Sequence, residues 1–388
     1  MKNYITLAVA FSLAVLLAAA KEPSDGVVAP KLSLTIRCTN AELRAGDEIS
    51  IEFEITNKGT NDYEYANRTY DRSGRMDEYA LVAKTASGQS VPDPRAPNKS
   101  GWMGGGLHSP RILHPGESAT QVIPLNRWAL IKEPGQYEVV GTYLSALYST
   151  NSIVVSSTPI SITVLPRSEA ELDAYIGGLS NQLAVLKPGK DFGHRGEKDA
   201  LVMKLMFTCS PKIVPSVLDA MYEADRGGFW ESEALQFYVP HSDNVKREIF
   251  LVATKRGLAS GMQSVLASYG CNRDDFLPLI RASLAQENPL SWQAGATAAQ
   301  QYGDDEFAPR LIALATRPDT SARMQAIYAL ASNRTDEGVK VLRKLLADPD
   351  KNIRTTVESA LQAAYCYRGI WQGRPLKAED FDKKYQQP

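Results

Sequence analysis

Residues 318–348 read PDTSARMQAIYALASNRTDEGVKVLRKLLAD, and the organisation of this stretch decides the fold of the second half of the chain. It divides into a first segment with Ala326, Ala329 and Leu330 on one helical face and a second with Val341, Leu342, Leu345 and Leu346. The stretch is about 31 residues long, and its offsets recur upstream. Ile213, Val245, Phe276 and Phe307 fall at nearly constant spacing. Four positions on stand Val217, Ile249, Ile280, Leu311 and Leu342; two positions on stand Pro215, Arg247, Pro278, Pro309 and Lys340. Apolar residues at fixed offsets in a fixed period mean one supersecondary unit stacked on copies of itself. Such an array presents a surface, which favours binding over catalysis.

The spacing predicts helix pairs. First helices begin near Glu197, Trp230, Leu258, Ser291, Ser321 and Lys351; second helices begin near Pro211, Asp243, Asp274, Asp304 and Asp336. The four Asp residues are candidate N-caps. Pro278 and Pro309 fall in or near a first turn, where a missing N–H does little harm. Upstream, Ser168 and Glu171 form a capping box, and Leu172, Ile176, Leu179, Leu183 and Leu186 mark one helical face that covers the apolar end of the first unit.

Asp348-Pro349-Asp350 followed by Ile353-Arg354 and Ala360-Leu361 resembles the short bacterial form of HEAT-like repeats. So does Pro318-Asp319, Ala322-Arg323, Ala326 and Ala329-Leu330 followed by Val341 to Asp348. Asn288-Pro289, Trp292-Gln293, Ala296 and Ala299 form a weaker copy. The resemblance covers roughly half the chain and weakens before Asp243. It implies a right-handed α-solenoid over residues 168–366 whose second helices line the concave face. By position, Arg247, Arg310, Lys340 and Lys344 lie on or near that face and suit an acidic partner. Asp219, Asp275, Glu306 and Glu337 are interspersed, so a merely solvated surface is the competing reading.

Residues 31–165 read as strands. Leu32, Leu34 and Ile36 alternate with polar residues, as do Ile49, Ile51, Phe53 and Ile55, the period of a strand with one face buried. Arg44-Ala45-Gly46-Asp47 is a turn between them. Further strands are expected at 80–84, 120–125, 137–144, 153–156 and 160–164. About seven short strands suggest an antiparallel β-sandwich. Leu113-His114-Pro115-Gly116-Glu117-Ser118, Leu125 and Pro134-Gly135-Gln136-Tyr137-Glu138-Val139 resemble an immunoglobulin-like domain type of exported bacterial proteins. The resemblance implies a fold and no function.

The first residues predict an export signal over 1–20: Lys2, an apolar run from Ile5 to Leu17, then Ala18-Ala19-Ala20. Exported, periplasmic or secreted, is therefore the expected location, and 367–388 reads as a tail. Lys+Arg 43 against Asp+Glu 44 gives a formal charge of -1, which provides no basic stripe for nucleic acid. Four cysteines in an exported chain would ordinarily pair. Cys209 and Cys271 stand two periods apart, however, and stacked helices step by roughly 10 Å, too far for a disulfide. Cys366 lies about three periods further on, and Cys38 is alone in the first domain, so free thiols are expected, with Cys38–Cys366 left open.

The chemistry-bearing residues otherwise favour plain roles. His108, His114, His194 and His241 read as loop histidines without ligand spacing. Ser242-Asp243-Asn244 lacks the companion motifs of penicillin-binding enzymes and reads as a helix cap; Gly257-Leu258-Ala259-Ser260-Gly261 puts its serine one place late for a nucleophile elbow. Asp71, Ser73, Asp77 and Glu78 read as a solvated hairpin tip. The irregular stretch 87–110 contains Gly104-Gly105-Gly106, a flexible loop rather than a phosphate loop, and Trp102, either a binding aromatic or an anchor folded back on the sandwich. The expected function is a non-enzymatic interaction or scaffold protein with a protein or peptide partner and no cofactor or metal. The alternatives are a binding module centred on the sandwich, a protease inhibitor or carbohydrate binder, and an accessory to an envelope enzyme.

Overall fold

The computed structural model describes residues 31–68, 75–76, 78–95, 108–144, 153–186, 192–223, 228–286, 288–302, 305–317, 320–333 and 335–366. The expected signal, Asp71, Ser73, Asp77, Trp102, Gly104 to Gly106, Asp304 and the tail fall outside them. The chain divides into two compact units, Met1–Asp173 and Ala174–Pro388.

The first unit is β-rich. Its strands are β1 (Leu32–Cys38), β2 (Ser50–Asn57), β3 (Tyr63–Arg68), β4 (Tyr79–Thr85), β5 (His108–Leu113), β6 (Ser118–Pro124), β7 (Gly135–Leu144), β8 (Val154–Ser156) and β9 (Ile160–Val164). The pairings between these strands are antiparallel. β2 lies between β1 and β6, β3 pairs β5, and β7 pairs β4, β8 and β9. The alternation read from the sequence holds in β2, where Ile51, Phe53 and Ile55 are buried. The turn at Arg44–Asp47 closes by an Asp47 N–H to Arg44 carbonyl bond of 3.0 Å with Gly46 at φ 89. Inward side chains of the strands share one core. A Cβ at Gly141 would lie 2.7 Å from Ile36 Cγ2 and 2.8 Å from Phe53 Cε1, so β7 approaches β1 and β2 as only glycine permits.

β3 and β5 were not foreseen. They bring Tyr63 and Tyr65 beside Tyr79 and Tyr143, with hydroxyl contacts of 2.5 Å (Tyr65 to Tyr79) and 3.2 Å (Tyr63 to Tyr143). Burial pushes the Tyr79 and Tyr143 hydroxyls well above the ordinary phenol range. Glu78, expected at a solvated tip, is 1% exposed, because β4 begins at the next residue and draws it into this cluster.

The second unit is helical and repeat-like. α1 (Glu169–Val185), whose first turn precedes the division at Asp173, begins with the expected capping box: Ser168 N–H donates to Glu171 Oε2 at 2.8 Å and Glu171 N–H to Ser168 Oγ at 3.3 Å. Ile176, Leu179 and Leu183 are its buried face, and Ser216 Oγ meets Ser180 Oγ at 2.8 Å. Next come α2 (Phe192–Phe207), α3 (Val214–Tyr222), α4 (Phe229–Glu233), α5 (Asp243–Arg256), α6 (Met262–Ser268) and α7 (Arg273–Ala285). The series ends with α8 (Pro289–Tyr302), α9 (Ala308–Ala315), α10 (Thr320–Asn333), α11 (Asp336–Leu345) and α12 (Lys351–Cys366). Most helices of the pairs begin within three residues of expectation, but α2 starts five residues before Glu197 and α6 four residues after Leu258.

The caps differ by one or two residues. Ser242, Asn272 and Thr335 accept the free N–H groups, while Asp243, Asp274 and Asp336 sit inside the first turn. A cap needs extended backbone, and an acidic residue just beyond it still favours the positive helix end. Pro278 stands in the second turn of α7, further in than expected. A π turn, Ala234–Tyr238, follows α4. The interval from Ile213 to Val245 is one residue longer than the next two, and a π turn absorbs one extra residue.

Candidate interaction surface

The repeat register sorts the second helices into buried and exposed rows. Ile213, Val245, Phe276 and Phe307 are buried, and so are Val217, Ile249, Ile280, Leu311 and Leu342 four positions on. Between these rows, Pro215, Arg247, Pro278, Pro309 and Lys340 are all exposed. Four residues further along each helix come Asp219, Leu251, Ala282, Ala313 and Lys344, of which only Ala282 is half-buried. Positions i and i+4 share a helix face, so each second helix contributes one short exposed column.

Bonds between successive units decide which charges on this face are available. Arg256 Nη1 pairs with Asp219 at 2.6 Å and its guanidinium lies 3.9 Å over the Tyr222 ring. Tyr222 donates to the Gly257 carbonyl, and burial pushes its hydroxyl up. Leu258 N–H donates to Ser283 Oγ at 2.7 Å, and that hydroxyl donates to the Leu279 carbonyl at 2.6 Å. Arg281 holds both oxygens of Glu306 at 2.8 and 2.9 Å. Arg323 pairs with Asp348 and donates to the Ala315 carbonyl at 3.0 Å. Burial alone would raise Asp348, but the Asp350 N–H and Arg323 hold its carboxyl below the usual range.

The four cations singled out from the sequence therefore differ. Arg247, on α5, and Lys340 and Lys344, one turn apart on α11, are exposed and form no ion pair among the described residues. Arg310 is exposed too, but its Nε–H donates to the Leu284 carbonyl at 2.7 Å, next to the end of α7, and its guanidinium lies 5.9 Å over Trp292. It ties one unit to the next. Leu251 is the residue the sequence reading missed. It is 61% exposed, and its signal was its place four residues after Arg247.

The remaining candidates resolve into local structure. Ser242 is a cap, its hydroxyl accepting from Val245 N–H. His108 lies in β5 and His194 in α2, not in loops. His114 Nδ1 meets Asp62 at 2.8 Å, which raises its pKa. His241 stacks on Tyr269 with ring centroids 4.1 Å apart. Among the described residues no group of three His, Cys, Asp or Glu side chains is placed to hold a metal ion. Cys38 and Cys271 are free thiols.

A family model of HEAT repeats matches residues 271–362, the region where the sequence resemblance is most specific. Among solved structures, the crystal structure of the YibA protein of Escherichia coli is similar at 11% identity and a TM-score of 0.33, covering 53% of this chain and 79% of that one. No curated protein matches the chain.

Proposed function

We propose that this protein is an exported, non-enzymatic interaction scaffold that holds a protein partner on the second-helix face of a right-handed HEAT-like solenoid. The observation that carries this reading is the exposed row itself. In five successive units the position between two buried rows stays open to solvent, and Arg247, Lys340 and Lys344 stand in these exposed columns without ion-pair partners among the described residues. HEAT repeats at 271–362 support an interaction role, since stacked repeats offer extended contact area. The face is the concave one in this proposal, and its partner is acidic.

The β-rich unit is an immunoglobulin-like sandwich in this reading. Two features support it. Glu117 N–H donates to the His114 carbonyl at 2.9 Å with Gly116 at φ 86, a Pro-Gly turn opening β6. Tyr137 O–H donates to the Glu133 carbonyl at 2.7 Å, the backward hydroxyl bond of a tyrosine corner.

Capture of envelope proteins on the immobilised full chain tests the scaffold, with Lys340→Glu/Lys344→Glu as the paired variant. A protein captured by the wild type and released by the variant is expected. Identical capture by both moves the site off this face.

A further inference from the structure

The second-helix face is patterned as well as exposed. Pro215 and Asp219 precede Arg247 in the same rows; Arg247 stands in the second of the five units and Lys340 with Lys344 in the fifth. Between them lie Leu251, 61% exposed, then Pro278, Pro309 and Ala313, all exposed. Two acidic groups of this face are already engaged, Asp219 with Arg256 and Glu306 with Arg281. Between the second and fifth units the rows thus form an apolar strip with a cation at each end. Proline and alanine lose no rotamer freedom on burial, so contact along this strip costs little side-chain entropy.

Spacing fixes the form of the occupant. Equivalent positions on packed helices recur at about 10 Å, so Arg247 and Lys340, three units apart, are separated by roughly 30 Å. An extended chain advances about 3.3 Å per residue, so about nine residues bridge them, three per unit. A helix lying along the same path would need about twenty residues.

We propose that this face takes an extended peptide segment crossing the second helices, with carboxylates about nine residues apart for the two cationic ends and small or medium apolar residues between. This rests on the reading of the second-helix face as the binding face and adds the conformation and composition of what binds there. Charge complementarity favours carboxylates at the ends; the exposed Leu251 and the proline and alanine columns favour apolar residues in the middle.

Fluorescence anisotropy with the mature full chain tests it, using labelled peptides in which two Asp-Asp pairs are separated by four, nine or twenty residues of mixed Ala, Val and Leu. The nine-residue spacing should bind at least about tenfold more tightly than either other spacing. Lys340→Glu/Lys344→Glu should abolish that preference, and replacing one Asp-Asp pair by Lys-Lys should restore it. Leu251→Asp should weaken all apolar-centred peptides. Equal affinity at every spacing, with loss on Lys340→Glu/Lys344→Glu, overturns the extended geometry and leaves the face as the binding site. A preference for twenty residues makes the occupant helical and also overturns it. Absence of binding, or binding indifferent to the charge reversal, overturns both.

Discussion

Replacing Arg310 by Glu should destabilise the helical unit, whereas replacing Lys340 by Glu should not. The two residues read alike in the sequence, and both are exposed. Arg310 nevertheless donates to the Leu284 carbonyl at 2.7 Å and lies 5.9 Å over Trp292. A charged hydrogen bond contributes about 1.5–3 kcal/mol when sheltered, and the exposure of Arg310 reduces this to about 1 kcal/mol. A cation at a helix C-terminus adds about 0.3–1 kcal/mol, and the ring contact about 0.5 kcal/mol. Glu would remove all three and set a negative charge against the carbonyl end of α7, for a loss of about 2 kcal/mol. Lys340 and Lys344 have no such bonds among the described residues, and substitution there should stay within about 0.5 kcal/mol. Urea denaturation of the full chain, followed by circular dichroism at 222 nm and compared at constant slope, measures both. Equal stability of Arg310→Glu and wild type would refute the inter-unit role of Arg310. Equal losses for Arg310→Glu and Lys340→Glu would refute the separation of structural from available charge.

Ser283→Ala should cost about 1–3 kcal/mol in the same assay, because the buried Leu258 N–H loses its 2.7 Å acceptor. The Ser168 N–H and hydroxyl hold the Glu171 carboxyl below the ordinary range, so its contribution is present above the unfolded-state pKa and is lost as pH falls through the lower folded value. Glu171→Gln should therefore reduce the acid dependence of stability below about pH 4.5, seen as flatter melting temperatures across an acid series. Non-reduced peptide mass spectrometry should find no Cys209–Cys271 link, and burial, which raises the Cys271 thiol, should make it slow to alkylate in the folded chain. A linked pair would sink the repeat register.

The helix pairs were legible because their signal is collective. No single residue among Ile249, Ile280 and Leu311 is informative, but their common offset is, and all three are buried. β1 and β2 were legible through strict alternation. β3 and β5 were not: Pro110 lies within β5, and proline argues against a strand unless the strand sits at an edge, as this two-stranded pairing allows. Caps were misplaced by one or two residues because Ser-Asp, Asn-Arg-Asp and Thr-Asp each offer more than one competent acceptor, and only backbone geometry chooses. Glu78 looked solvated among polar neighbours, and the strand that buries it begins at the adjacent Tyr79. Its burial depends on strands far apart in the chain, which local composition does not record.

Exposure alone is a poor guide to which charges on a stacked-helix surface can meet a partner. Asp219, Arg281, Glu306 and Arg310 all face solvent, yet each is spent on a bond to a neighbouring unit. These bonds recur because each unit must satisfy helix ends and charges that its neighbour brings close. The sequence shows the charges but not this pairing, so it ranked Arg310 with Lys340. Once the pairing is subtracted, Arg247, Lys340 and Lys344 remain from the four cations, and they stand in the second and fifth units of the exposed rows with Leu251, Pro278 and Pro309 between. That remainder, a cation at each end of an apolar strip, is more specific than a basic face. A basic face would accept any acidic partner, whereas two cationic ends held at a fixed distance by the stack select for the spacing of carboxylates.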